Sequence, residues 1–345
     1  MCRNCVQNEK DGSMKIFLYY LGKRGGGSLF TKEVIDLLSK DHHEITVIVS
    51  SRNTNLSTFY QQMSTSSITV SEINRPYLRL DVIYRLLKKF KMEGGSISLN
   101  TMMSHRDYCV WAILKVLNIR RWQVMHDPKR HKGDKYPLNM EISYRLRSAE
   151  KILVLSENVK SQLASRGYDS TLIFQYKYVL GHRISKPLEY GLVIGRQQQY
   201  QGVTRLKNIL PAVSNRGVQW IIAGEQQSTD VDLGPQTLRI NRWLEDFQVR
   251  QLISNARFVL LPYLEASQSG VLKMAQELGV FVIIPPVDGL VEFVSHGKNG
   301  FISVENHDES LIKAIKEVID FDLGTSSNTF FLETKLSNIS KLSKD

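Results

Sequence analysis

The chain has 345 residues, of which 42% are hydrophobic and 23% charged, with a formal net charge of +11. This is the composition of a globular protein long enough for about two domains and a substantial core. It excludes a membrane-spanning protein, because no apolar run reaches the roughly 20 residues of a span, and a disulfide-framework protein, because the cysteines are only Cys2, Cys5 and Cys109. A reducing cytoplasm is the expected compartment. The first residues lack the apolar stretch of a signal peptide, and the lone Cys2-x-x-Cys5 reads as part of a frayed terminus. The charge is uneven. Residues 1–180 hold 28 Lys and Arg against 16 Asp and Glu, whereas the remainder hold 17 against 18. One half therefore carries the whole excess and is expected to face an anionic membrane surface, nucleic acid or an anionic acceptor.

Residues 1–13 are a polar extension, and the folded part begins at Met14. Met14–Leu21 reads as a strand, followed by the Gly-rich turn Gly22–Ser28, which includes Gly26 and Gly27, and by a helix over Leu29–Ser39. Such a turn lets backbone approach a ligand, although it matches neither a Walker A loop nor GxGxxG. Glu44–Ser50 is a second strand, and residues 51–75 form a Ser/Thr/Asn-rich loop with a short strand near Ser67–Ile73. In Leu80–Met92, Val82, Ile83, Leu86, Leu87 and Phe90 share one face and Arg85, Lys88, Lys89 and Lys91 the other. This basic amphipathic helix either lies on an anionic bilayer or sets its apolar stripe on a sheet. Ser96–Asn100 is a strand and Tyr108–Leu117 a buried helix. The strand from Trp122 ends in His126-Asp127-Pro128, followed by Lys129-Arg130-His131. A histidine at the carboxyl end of a parallel strand points into the ligand crevice. Met140–Ser148 is helical, Lys151–Leu155 is a strand, and Ser156 caps the next helix.

Residues 170–188 connect to a second domain, which opens with a strand ending in Gly195-Arg196, a loop containing Gln201-Gly202, and a helix over Val203–Val213. Val218–Gly224 is a strand; Leu238–Trp243, with Arg242, is a strand and edge loop; and Leu244–Asn255 is a helix. Phe258–Leu261 is a short buried strand ended by Pro262. After the small polar turn Ser267-Gln268-Ser269-Gly270, Val271, Leu272, Ala275 and Leu278 fall on one helical face, and Gly279 suits the helix end. Val280–Ile284 is another strand. A turn from strand to helix faces the crevice of a parallel sheet, and helix amino-terminal N–H groups favour an anion. Ser267–Gly270 is therefore the leading phosphate or sugar-hydroxyl site, against the plain reading of an ordinary connection. Helices over Ser310–Ile319 and Thr329–Ile339 close the chain.

The residues Pro262, Tyr263, Ala266, Ser267, Gln268, Ser269, Gly270, Val271, Ala275 and Gly279, then Gly289, Glu292, Val294, Gly297 and Gly300, resemble in type and spacing the donor-binding half of family-4 GT-B glycosyltransferases, in a variant reading SQSG. The resemblance implies an α/β fold of two Rossmann-like doubly wound domains facing across a cleft. Residues 14–180 would bind the acceptor and 181–320 the nucleotide sugar, with a helical tail over 321–345 crossing back. It implies that Ser267, Gln268, Ser269, Gly270 and Val271 hold the diphosphate and sugar. Gly26 and Gly27 would lie near donor phosphate, and the edge loop with Arg242 would meet the base. His126 would contact the donor sugar, with Lys129 and His131 on the acceptor side. Arg196 would neutralise the leaving diphosphate together with a lysine, but that position reads Gln201. The family's two glutamates would fall at Ala266 and Met274, and neither is acidic; Glu265 is one residue away and could substitute if the turn differs locally, and Glu292 either reaches the crevice or is solvated in its loop. Asp230-Val231-Asp232 reads as an exposed connection, so no metal and no cofactor is expected. The implied reaction moves a sugar from a nucleotide diphosphate donor to an acceptor hydroxyl with retained configuration. The expected setting is the extension of a lipid-linked glycan in surface polysaccharide assembly at the inner face of the membrane, without nucleic acid. The alternative is a GT-B homologue without turnover that serves as a partner subunit.

Overall fold

A computed structural model of the chain describes residues 13–21, 26–50, 67–74, 79–104, 107–130, 138–181, 188, 190–196, 198–225, 233–234, 236–321 and 329–336. The polar extension over 1–12, the first glycines of the turn after Tyr20, His131 and the last residues of the chain lie outside these. The chain divides into two units. Unit 1 comprises Met1–Arg130, Asp134–Gln175 and Leu336–Asp345; unit 2 comprises His131–Gly133 and Tyr176–Lys335.

In unit 1, short β-branched and apolar runs form β1 (Lys15–Tyr20), β2 (Glu44–Ser50), β3 (Ile68–Ile73), β4 (Ile97–Asn100), β5 (Arg120–Met125), β6 (Lys151–Val154) and β7 (Thr171–Leu172). They pair in the order β3-β2-β1-β4-β5-β6-β7, every pair parallel. Near-continuous apolarity is what a parallel strand covered on both faces requires. The helices are α1 (Gly26–Lys40), α2 (Leu80–Met92), α3 (Tyr108–Val116), α4 (Asn139–Ser148) and α5 (Glu157–Ala164). The strand order reverses between β1 and β4, which makes their carboxyl ends the switch point where such sheets bind ligands.

The apolar stripe of α2 is core. Ile83, Leu87 and Phe90 are buried in one cluster with Phe17, Tyr19 and Trp111, and Val82 and Leu86 pack against it. The bilayer alternative for that stripe is thereby corrected, because a face already covered by the sheet cannot insert into lipid. Two further boundaries differ. Gly26, Gly27 and Ser28 form the first turn of α1 rather than a loop before it. Residues Thr329–Leu336 are a strand rather than the final helix expected there. The run Thr-Phe-Phe-Leu is too short for its period to distinguish helix from strand, and its β-branched and aromatic residues suit a pleated partner.

The strand β8 (Phe174–Gly181), which lies in unit 2 from Tyr176 on, pairs with β15 (Thr329–Leu336). The main sheet of unit 2 consists of β9 (Tyr190–Ile194), β10 (Gln219–Ala223), β11 (Thr237–Ile240), β12 (Phe258–Leu260), β13 (Phe281–Ile284) and β14 (Gly300–Ile302), in the parallel order β11-β10-β9-β12-β13-β14. The helices are α6 (Leu206–Val213), α7 (Asp246–Asn255), α8 (Gly270–Glu277), α9 (Asp288–Val291) and α10 (Asp308–Asp320). Alternation along β9 sorts them into two layers: Leu192 and Ile194 pack with Ile253 of α7 and Leu272 of α8. Val193 packs with Ile209 of α6 and Ile315 of α10. The sheet is thus doubly wound, with its switch point between β9 and β12.

One charged pair is embedded in unit 1. Asp107 and Arg145 form an ion pair with both side chains 1% exposed. Arg145 stacks 4.1 Å from the Trp111 ring and donates to the Tyr19 hydroxyl at 3.4 Å. Asp107 accepts from the Ser104 amide at 3.1 Å and from Asn100 Nδ2 at 3.2 Å. Removing one charge of such a pair leaves the other buried and uncompensated. Asp107→Asn is expected to lower unfolding free energy by about 3–5 kcal/mol, read as a fall in the urea midpoint with the slope unchanged.

Candidate functional site

At the switch point of unit 1, three segments meet through hydroxyl groups. Thr31, one turn into α1, donates from its hydroxyl to the Gly27 carbonyl at 2.7 Å. Its proton is thereby committed, so the Thr101 hydroxyl, 2.7 Å away just beyond β4, donates to it. The Thr101 carbonyl lies 2.8 Å from Nε2 of His126, which follows β5. A carbonyl only accepts, so Nε2 carries the proton. The imidazole is 9% exposed and sits edge-on to Phe30 with ring centroids 5.1 Å apart. Burial holds its pKa below the ordinary histidine value, with the Thr101 contact and Asp127 offsetting part of this. His126 is therefore a neutral donor anchored between α1 and β4. Gly27 is tightly placed: a Cβ there would come within 2.9 Å of Met102 Cε and 3.0 Å of the Tyr20 hydroxyl. Lys129 is exposed beyond His126, and His131 is outside the described residues.

At the switch point of unit 2, the connections leaving β9 and β12 are stitched together. Gly202 has φ 73°, and a Cβ on it would lie 1.9 Å from the Pro262 carbonyl oxygen, so only glycine fits there. The Leu264 amide donates to the Tyr200 carbonyl at 2.7 Å. Arg205, 6% exposed, donates to the Pro262 carbonyl at 3.2 Å and pairs with Asp308 at 2.7 Å. These contacts set Gln201 against the end of β12, where its Nε2 lies 3.3 Å from the Tyr263 hydroxyl. Ser269 and Arg196 are near enough to bear on the same hydroxyl. Burial pushes the Tyr263 pKa up, and Ser269, Gln201 and Arg196 offset part of that. The tyrosine is thus neutral.

Ser269 is the N-cap of α8, its hydroxyl accepting from the Leu272 amide at 3.2 Å. The Gly270 and Val271 amides, at the first helical positions, have no intrahelical acceptor. A Cβ at Gly270 would meet nothing within 4 Å, so the space beside the helix start is open. The helix ends as the sequence indicates: Gly279 has φ 68° and donates to Gln276, while Val280 donates to Ala275. The two serines of the turn differ in place. Ser267 is 5% exposed, behind the point where Gly289 comes against the Ala266 carbonyl, whereas Ser269 is at the helix start. Gln268 is half-buried between them, and Val271 packs on the core. Arg242 turns to α7, donating to Gln248 Oε1 at 3.2 Å.

The structure therefore gathers Arg196, Gln201 and Ser269 around Tyr263 in unit 2, and joins Gly27 to His126 through Thr31 and Thr101 in unit 1. Thr101 and Arg205 are absent from the residues chosen on sequence, and Tyr263 stands there only as part of the motif, with no role of its own. Tyr263 and Thr101 each follow a strand closely, but which strands flank a switch point is not written locally.

His126 sets a pH dependence. Because the buried imidazole resists protonation, the unfolded chain takes up a proton below about pH 6.5 that the folded chain does not. Stability from this residue is complete above that pH and declines on acidification. Between about pH 7.5 and pH 5, His126→Asn is expected to lose less unfolding free energy than wild type, as read by urea midpoints. His43, whose pKa burial also lowers, contributes equally to both proteins.

Comparison with known proteins agrees with this architecture. Residues 189–320 match the model of the family "Glycosyl transferases group 1". No curated protein sequence matches the chain. Among solved structures, a glycosyltransferase from Rickettsia africae is similar at a TM-score of 0.67 and 15% identity, covering 96% of this chain and 92% of that one. Anabaena Alr3699/HepE in complex with UDP and glucose has a TM-score of 0.69 at 14% identity, covering 96% and 95%. S. aureus TarM in complex with Fondaparinux, alpha-GlcNAc-glycerol and UDP has a TM-score of 0.67 at 10% identity, covering 90% and 93%. The fold is α/β with two parallel-sheet Rossmann-like units, the GT-B architecture, as in these similar structures.

Proposed function

We propose that the protein is a glycosyltransferase that moves a sugar from a nucleoside diphosphate donor to an acceptor hydroxyl. The observation that carries this reading is the gathering of Arg196, Gln201 and Ser269 around Tyr263 at the start of α8, within the segment that matches the group 1 family. Helix amides and a guanidinium stabilise the charge that develops on a departing diphosphate. The two similar structures that hold UDP make UDP-sugars the first donors to test. Neutral His126 is assigned to the donor sugar, and Lys129 and His131 to the acceptor. No cofactor or metal is assigned a role, and retention of configuration follows the family resemblance.

The acceptor we propose is a lipid-linked glycan, extended at the cytoplasmic face of a membrane in surface polysaccharide assembly. The basic excess of residues 1–180 supports this. So do the exposed Tyr84 (40%), Met92 (72%), Lys88, Lys89 and Lys91 of α2 and the exposed Val116 (78%) and Lys115 of α3. Among the described residues no helix is long and apolar enough to cross a membrane, so the contact proposed is peripheral. Each lysine near an anionic surface contributes about 1 kcal/mol. Cosedimentation with phosphatidylglycerol vesicles, lost in the triple variant K88E/K89E/K91E and absent with phosphatidylcholine, is the expected result.

A second reading, a non-catalytic partner subunit, is favoured by Ala266, Met274 and Gln201 standing where the resembled family has two glutamates and a lysine. Thermal stabilisation by a panel of nucleoside diphosphates and their sugars separates the two, since a ligand of the folded state raises Tm. A shift with one nucleotide, followed by its consumption in the presence of membrane lipid extract, is expected. Arg196→Ala should then lower kcat on the order of 100-fold, and Ser269→Leu should weaken donor binding. Binding without donor consumption would transfer the weight to the partner reading.

A further inference from the structure

We propose that Arg205 is a positioning residue of the donor site: its buried guanidinium ties together the connections that leave β9, β12 and β14, and so sets where the turn from Pro262 to the start of α8 lies. This rests on the glycosyltransferase reading and deepens it, because that turn carries Ser269 to the place assigned to the diphosphate.

Each arm of the guanidinium has its own partner. Nε donates to Asp308 Oδ1 at 2.7 Å. Nη1 carries two protons, and it donates to the Pro262 carbonyl at 3.2 Å and to Asn306 Oδ1 at 2.6 Å. With Oδ1 of Asn306 accepting, its Nδ2 donates to the Tyr263 carbonyl at 3.4 Å. The other oxygen of Asp308 accepts from Asn208 Nδ2 at 2.7 Å, so the carboxylate is held from two sides. Arg205 itself closes the turn that follows Gln201, its amide donating to the Gly202 carbonyl at 3.0 Å. The segment between β14 and α10 is fixed as well. The Ser303 hydroxyl donates to the Glu305 carbonyl at 2.8 Å, and the Glu305 amide to the Ser310 hydroxyl at 3.0 Å.

What this clamp holds is backbone. Pro262 and Tyr263 are buried just beyond the end of β12, and buried carbonyls require donors. Here a side chain from the connection after β9 and one from the connection after β14 supply them. In the sheet β12 neighbours β9, but β13 separates it from β14. Strand pairing alone therefore does not bring the three connections to one point, and Arg205 does. A guanidinium suits this task because Nε and Nη1 address different directions from one plane, whereas a lysine has a single nitrogen. Arg205 is 6% exposed, so its charge is committed to Asp308 rather than offered to a ligand.

The test is a double-mutant cycle on Arg205→Met and Asn306→Ala, with Arg205→Lys as a third variant. It reads Kd for UDP and for UMP by titration calorimetry well below Tm, and Tm itself by scanning. Arg205→Met is expected to weaken UDP on the order of tenfold, and UMP, which lacks the second phosphate, much less. Arg205→Lys keeps the charge and is expected to bind UDP no better than Arg205→Met. Asn306→Ala, at an exposed residue, is expected to weaken UDP severalfold alone and to add almost nothing in the Arg205→Met background. A lowered Tm with wild-type Kd for UDP in Arg205→Met overturns the proposal, for the arginine then serves stability alone. So do recovery by Arg205→Lys, which reports charge in place of position, fully additive losses, and equal losses for UDP and UMP. Should the Arg205 variants not fold, Asn306→Ala decides: UDP weakened more than UMP upholds the clamp, and an unchanged Kd overturns it. If wild type binds no nucleoside diphosphate, the glycosyltransferase reading fails and the clamp's role with it. If wild type binds UDP and the variants bind it equally well, the role of Arg205 alone fails.

Discussion

The approach of Gly202 to the Pro262 carbonyl is the constraint on which unit 2's candidate site depends. A side chain at residue 202 would collide with that oxygen, so the connections leaving β9 and β12 can lie together only with glycine there. Once they do, Leu264 reaches the Tyr200 carbonyl and Arg205 reaches Pro262. Gln201 arrives at Tyr263 as a consequence. The polar groups of the site are thus carried by two loops, but their mutual positions are set by backbone contact rather than by the side chains themselves. Sites held in this way keep their geometry without a bound ligand to organise them.

Unit 1 solves the same problem with buried charge and hydroxyl groups. The Asp107–Arg145 pair lies wholly out of solvent, and its cost in desolvation is offset by Ser104, Asn100, Tyr19 and the Trp111 face. Its contacts to Asn100 and Ser104 brace both sides of Thr101, whose carbonyl fixes the tautomer of His126. A neutral imidazole suits the recognition of sugar hydroxyls, for which a second charge is not needed.

The chemistry proposed for unit 2 is economical in charge. Positions that resemble those of two glutamates and a lysine are Ala266, Met274 and Gln201, and the groups that remain are Arg196, a helix start, hydroxyls and an amide. Helix amides and aligned dipoles stabilise an anion without the desolvation penalty of a buried lysine. The interaction they offer a diphosphate depends on alignment.

The sequence by itself determined the elements and the ends of many of them. The run Phe258–Leu260, the N-cap at Ser156 and the close at Gly279 follow from local apolar length, a serine oxygen and a positive φ. The apolar stripe of α2 was equally legible, but not what covers it, because a stripe that suits lipid also suits a sheet; burial of Ile83, Leu87 and Phe90 decided that. Only the tertiary structure decided the strand at Thr329–Leu336, since its partner β8 lies far away in the chain. The same holds for the site. Strand neighbours place the switch points, and contacts such as that of Gln201 with Tyr263 join residues 62 apart. Periodicity and capping report on interactions within a few residues, whereas these pairings exist only after the two sheets have formed.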